Sequence, residues 1–148
     1  MLYWDTSALL KLYVTEEDSS QFTRLMASSN EAIATSTIVE AEILCAVYRK
    51  ESAGGLKSGG AAAVLERFQK DCRAGRIVRI SYSEEVIIGA RQIVRLAFGG
   101  HGPVMLRALD AIHLASAVAI RARAIVATDL RLREMASKAG IAVLPALS

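Results

Sequence analysis

The chain is poor in the residues on which several classes of function depend. It has two cysteines, Cys45 and Cys72, far apart and in no C-x-x-C pattern. A disulfide scaffold and a cysteine-rich zinc site are thereby excluded. Two histidines, His101 and His113, leave little for Cys/His metal chemistry. One tryptophan and three phenylalanines give no stacking platform of the kind single-strand binders use. No apolar run reaches the roughly 18 residues of a membrane span. Asp5 and Lys11 interrupt the opening stretch, so no signal peptide is expected and a cytoplasmic protein is the default. Aspartate is scarce as well, with five residues against ten glutamates.

What is present fits one domain over residues 1–148. The chain is 53% apolar, and at this length roughly 70% of the unfolded surface can be buried. The net charge is +3, carried by 13 Arg and 5 Lys. An arginine-rich balance suits phosphate-bearing partners, because the guanidinium fork matches phosphate oxygens bidentately. The sum alone proves little.

Short apolar strands alternate with helical stretches. Leu2-Tyr3-Trp4, Ala32–Thr35, Ile77–Ile80, Ala124–Thr128 and Ala142–Leu144 read as strands. Between them, helices are expected through Leu9, Leu10 and Tyr13, then from Thr15 with Phe22, Leu25 and Met26 inward. Further helices run from the Thr35-Ser36-Thr37 caps to about Ser52, from Ala61 to Arg73, from Ser83 to Phe98, and from Val104 to Ile120. A last one opens at Asp129 and is closed by Gly140. The glycine-rich segment Ala53–Gly60 reads as a connector: its Lys57-Ser58 lacks the preceding glycine and the strand of a P-loop. Gly99–Pro103 is a break. Strands apolar throughout, alternating with helices, predict an α/β sandwich of three layers around a parallel sheet.

Ligands of an open parallel sheet bind beyond the carboxyl ends of its strands. Asp5 directly follows the first strand and Asp129 the fourth, although each could also cap the helix after it. Asp110 stands in the apolar text Leu106–Ala117, where a charge is costly unless it is paired or binds a cation. Arg107, three residues earlier, is the alternative ion-pair partner. Glu40 and Glu42 point to different helix faces, so at most one joins such a cluster, and periodicity barely separates them. Carboxylates gathered in a partly apolar site repel one another unless a divalent cation lies among them. Oxygen-only ligation selects Mg²⁺ or Mn²⁺, and with an arginine-rich surface the constellation suggests phosphodiester hydrolysis.

At these places the sequence resembles the PIN domain, most closely the VapC-type toxins of bacterial toxin–antitoxin pairs. The resembling segments are Asp5-Thr6-Ser7-Ala8-Leu9-Leu10, Ser36-Thr37-Ile38-Val39-Glu40-Ala41-Glu42, Leu109–Ala117 and Thr128-Asp129-Leu130-Arg131-Leu132, in the family's order along the whole chain. The resemblance selects Glu42 over Glu40. It implies a five-stranded parallel sheet and a Mg²⁺- or Mn²⁺-dependent endoribonuclease with acids Asp5, Glu42, Asp110 and Asp129. Asp5, Asp110 and Asp129 are the expected metal ligands. Thr6, Ser7 and Thr128 match positions that orient ligands or waters, and serve equally well as ordinary cap and turn residues. The implied partners are an RNA substrate, a cognate antitoxin and a second copy in a homodimer, with no membrane. The exposed apolar side chains expected for contacts are Leu12, Tyr13 and Phe22.

Arg131 and Arg133 follow the acidic edge and are the first candidates for RNA binding, with solvated helix charges as the alternative. His113 reads as a packed or capping residue rather than a general base. Three rival readings differ in what they require. A PIN nuclease of RNA processing would lack an antitoxin gene beside it. A haloacid-dehalogenase-type phosphatase needs a second Asp where Ser7 stands. A non-catalytic PIN-like binding module would have lost an acid, and all four are present.

Overall fold

In the computed structural model, which describes residues 1–146, the sheet has five parallel strands in the order β3-β2-β1-β4-β5. These are β1 (Leu2–Trp4), β2 (Ile33–Ser36), β3 (Ile77–Ile80), β4 (Ala124–Val126) and β5 (Ala142–Leu144). Helices α1 (Thr6–Leu10), α2 (Ser19–Ser29), α3 (Val39–Ser52) and α4 (Gly60–Arg73) occupy the first part of the chain. Helices α5 (Glu84–Phe98), α6 (Ala108–Ala119) and α7 (Leu130–Lys138) follow. The expected α/β architecture is the one found.

The three layers follow from strand periodicity. Successive side chains of a strand point to opposite faces. In β1, Leu2 and Trp4 join a core with Leu9, Phe22, Val39, Ile43 and Phe68 from α1 to α4. Tyr3 joins the other core, with Ile93, Leu114, Leu132 and Met135 from α5 to α7. All three residues of β1 and of β4 are buried, as the central strands of a sheet covered on both sides must be. The edge strand β3 exposes Val78 and Arg79, and a charged edge discourages further strand pairing.

The chain builds the sheet outward from β1 through β2 to β3, then crosses back to place β4 on the other side of β1. Strand order therefore reverses between β1 and β4, and a crevice opens at their carboxyl ends. Asp5 leaves β1 there, its N–H donating to Val126 O at 3.0 Å, and Asp129 leaves β4 two residues beyond Ala127.

Four local expectations need correction. The helix expected from Val104 begins only at Ala108: the Val104 N–H is tied to Ala97 O at 2.9 Å, and the Leu106 N–H turns back onto Val104 O at 2.8 Å. Asp110 thus lies in the first turn of α6 rather than mid-helix, where the helix dipole favours an acid. Thr15 and Glu16 are irregular and Glu17 and Asp18 form a turn, so the second helix starts at Ser19, and Met26 faces solvent. Ser36 and Thr37 do not cap α3; the helix starts after Ile38 without a side-chain cap. Tyr13 and Phe22 are buried in the core, so neither is an exposed contact point. Gly140, at φ 75°, follows the last turn of α7 in the left-handed conformation that ends helices.

Candidate active site

A cleft of about 690 Å³ lies at the carboxyl edge of β1 and β4, and Asp5, Glu42, Asp110 and Asp129 all line it. Each arrives from a different element: the end of β1, the first turn of α3, the first turn of α6 and the start of α7. Thr6, Ser7 and Thr128 line it as well.

Asp5 is a buried acid and an N-cap at once. Its Oδ1 accepts from the Ala8 N–H at 2.8 Å and its Oδ2 from the Ser7 hydroxyl at 2.7 Å. Ser7 Oγ in turn lies 2.6 Å from Thr128 Oγ1, which ties the ends of β1 and β4 together. Burial pushes the Asp5 carboxyl above its ordinary range, more than the Ser7 and Ala8 bonds and the nearby His113 pull it down. Neighbouring Glu42 adds to the rise. A carboxylate held in this way gains by a nearby cation.

Glu42 is held from two sides. Thr6 Oγ1 donates to its Oε2, and His113 Nε2 lies 2.7 Å from the same oxygen. The other ring nitrogen of His113 is 2.8 Å from Tyr3 Oη, so the imidazole is fixed between a phenol in the core and a carboxylate in the cleft. Burial raises the Glu42 carboxyl, but His113, Thr6 and Arg107 together outweigh it and hold Glu42 below the usual range. His113 is packed, as its apolar helix face suggests, and it also grips Glu42. Its spacing of three from Asp110 was the signal, since it puts both on one side of α6.

Arg107 completes the floor. Its Nε donates to Asp110 Oδ2 at 2.9 Å, and its Nη2 to Asp110 Oδ1 at 3.2 Å and Asp129 Oδ2 at 3.0 Å. The ion-pair alternative for Asp110 is therefore present inside the acidic cluster, not in place of it. Asp129 also caps α7, accepting from the N–H groups of Arg131 and Leu132 at 2.9 and 3.2 Å. Burial acts upward on Asp129, but these bonds, with the Arg131 and Arg107 charges, bring it below its ordinary value.

The two arginines expected to bind RNA have different fates. Arg131 stays half-exposed beside Asp129, with Nη2 at 3.5 Å. Arg133 is buried. Its guanidinium donates to Ala127 O at 2.7 Å, Leu144 O at 3.2 Å and Pro145 O at 2.7 Å, stitching β4, α7 and β5 together. Its assignment to RNA is corrected: a guanidinium spent on three backbone carbonyls has no fork left for phosphate. Arg49 was missed. It lines the cleft seven residues after Glu42 on the same face of α3, and among the described residues it forms no ion pair.

The donor set fits a hard divalent cation in its chemistry: the three expected ligands, Asp5, Asp110 and Asp129, are all carboxylates, and burial raises Asp5. As they stand, no three His, Cys, Asp or Glu side chains among the described residues converge on one point.

A model of the PIN domain matches residues 2–138. The chain belongs to the PIN domain family. Ribonuclease VapC47 of Mycobacterium tuberculosis (strain CDC 1551 / Oshkosh) is 34% identical over 124 residues, covering 82% of this PIN domain chain and 77% of that protein. The fold is shared with the crystal structure of FitAcB from Neisseria gonorrhoeae, at a TM-score of 0.72, 22% identity and 98% and 97% coverage of the two chains. It is shared too with Mycobacterium tuberculosis VapC20, described as a sarcin–ricin loop cleaving toxin, at 0.66, 19% identity and 95% and 96% coverage. In this PIN domain the four acids read from the sequence line one cleft, together with Glu16.

Proposed function

We propose that this PIN domain is an endoribonuclease dependent on Mg²⁺ or Mn²⁺, and the toxin of a toxin–antitoxin pair. The observation that carries the reading is the convergence of Asp5, Glu42, Asp110 and Asp129, from four separate elements, on one cleft. A relative named a ribonuclease and a structural neighbour described as a sarcin–ricin loop cleaving toxin support it.

Asp5, Asp110 and Asp129 hold the divalent ion in this reading. When bound, it supplies an acidified water and positive charge for the oxygens of the phosphoryl transition state. Glu42, kept ionised by Thr6 and His113, accepts the proton of the attacking water. Ser7 and Thr128 hold the Asp5 edge in place. Water adds to phosphorus, the bond to the 3′ oxygen breaks, and the products are a 5′-phosphate and a 3′-hydroxyl. Arg49, free of carboxylate partners on the cleft wall, holds a phosphate of the RNA backbone, and Arg131 stands at the same edge. An antitoxin restrains the enzyme in the cell. A second copy of the chain, in a homodimer, belongs to the same reading.

The test is RNA cleavage with Mg²⁺ or Mn²⁺ against chelator, by wild type, Asp5→Asn and Asp110→Asn. Cleavage by wild type with metal alone, lost in both folded variants, is the expected result. Equal cleavage by all three sinks the mechanism. Growth arrest on expression, relieved by co-expressing the neighbouring reading frame, separates a toxin from a processing nuclease.

A further inference from the structure

Arg107 holds its two acids unlike a structural arginine. Among the described residues its guanidinium bonds only to Asp110 and Asp129, at 2.9 to 3.2 Å, and its side chain is 57% exposed. Arg133 shows the opposite pattern, buried and bound to backbone carbonyls. The backbone of Arg107 is extended, at φ −87° and ψ 158°, at the N-cap of α6, and its N–H also donates to Asp110 Oδ2 at 3.3 Å, a bond independent of the guanidinium. With Arg107 between them, Asp110 and Asp129 spend three of their bonds on the guanidinium, and no three acids in the cleft meet at one point.

We propose that Arg107 is a resident counter-cation of the acidic cleft, which a divalent ion displaces from between Asp110 and Asp129, and that the freed guanidinium then holds the substrate phosphate. This rests on the metal-dependent reading above. The guanidinium and a divalent ion compete for these carboxylate oxygens, and two cations at that spacing repel. The divalent ion carries twice the charge and binds the oxygens directly, so it wins at sufficient concentration. In its absence Arg107 screens acids that would otherwise repel one another. Once displaced it remains tethered at the cleft, and its planar fork suits two phosphate oxygens. One residue then limits the affinity for the ion and contributes to the affinity for RNA.

The two roles are separable by experiment. Mn²⁺ binding is titrated without RNA, by electron paramagnetic resonance of the free ion, for wild type, Arg107→Gln, Arg107→Ser and Asp110→Asn. The serine variant keeps a favoured N-cap at the start of α6, which guards against loss of fold. Removing the competing charge is expected to tighten Mn²⁺ binding roughly tenfold in both neutral Arg107 variants, and Asp110→Asn to weaken it. At saturating Mn²⁺, KM for RNA rises about tenfold in the same Arg107 variants while kcat changes less. Unchanged or weaker Mn²⁺ binding in folded Arg107→Gln and Arg107→Ser overturns the displacement. Tighter Mn²⁺ binding with unchanged KM overturns the phosphate role. No Mn²⁺ binding by wild type or either Arg107 variant overturns the metal-dependent reading itself, a failure distinct from the other two.

Discussion

Replacing Arg133 by methionine separates a structural arginine from an RNA-binding one. Methionine keeps much of the buried stem volume and removes every donor. Three charge-assisted bonds to Ala127 O, Leu144 O and Pro145 O are lost. At roughly 1.5 kcal/mol each they set a ceiling of about 4.5 kcal/mol. Part of this is offset, because the variant no longer buries a guanidinium whose Nε has no partner. The net loss is about 2–3 kcal/mol, or a fall in Tm of roughly 8 °C for a chain of this size. Urea and thermal unfolding measure it, alongside RNA binding well below the transition. Arg131→Ala is the comparison: its exposed pair with Asp129 is worth no more than about 0.5 kcal/mol. An unchanged Tm in Arg133→Met together with weakened RNA binding would refute the argument, since the guanidinium would then face substrate.

Three further outcomes follow from the cleft. In chelator, Asp5→Asn melts above wild type at neutral pH. The raised carboxyl makes the ionised form destabilising, so wild-type stability is fully present below the unfolded-state pKa and is lost as pH rises through the folded one; the advantage therefore vanishes in acid, and an advantage independent of pH would contradict the cause. His113→Gln leaves burial of Glu42 less opposed, so the acid limb of the kcat/KM profile moves to higher pH, with activity at neutral pH down about tenfold. An unshifted limb would mean that Glu42 does not depend on His113. Arg49→Ala raises KM for RNA several-fold with kcat and Tm nearly unchanged, and lowers the salt dependence of binding by about one phosphate contact. An unchanged KM would remove Arg49 from the RNA path.

The alternation of buried strands and amphipathic helices was readable, because periodicity is local. So were acids that line the cleft: Asp5 and Asp129 follow strands and Asp110 is an acid in apolar text, whereas Glu42 was selected over Glu40 by the family resemblance alone. The positions of Arg107 and Arg133 were not. Both are arginines near an acidic edge, and the difference between them lies in what the fold brings against each. Val104–Arg107 reads as helix by composition, yet a bond to Ala97 O, from another helix, and a tight turn from Leu106 N–H to Val104 O keep it out of the helix.

The sequence by itself determined the α/β order, the family resemblance and the identity of the four acids, since each depends on neighbours within one element or one short motif. Only the tertiary structure decided that His113 grips Glu42 while Tyr3 fixes its other nitrogen, 110 residues away in the chain. It also decided that Arg133 is spent on backbone and that Arg107 lies between two of the acids. Those partners meet through the reversal of strand order between β1 and β4, a long-range pairing that no local pattern encodes.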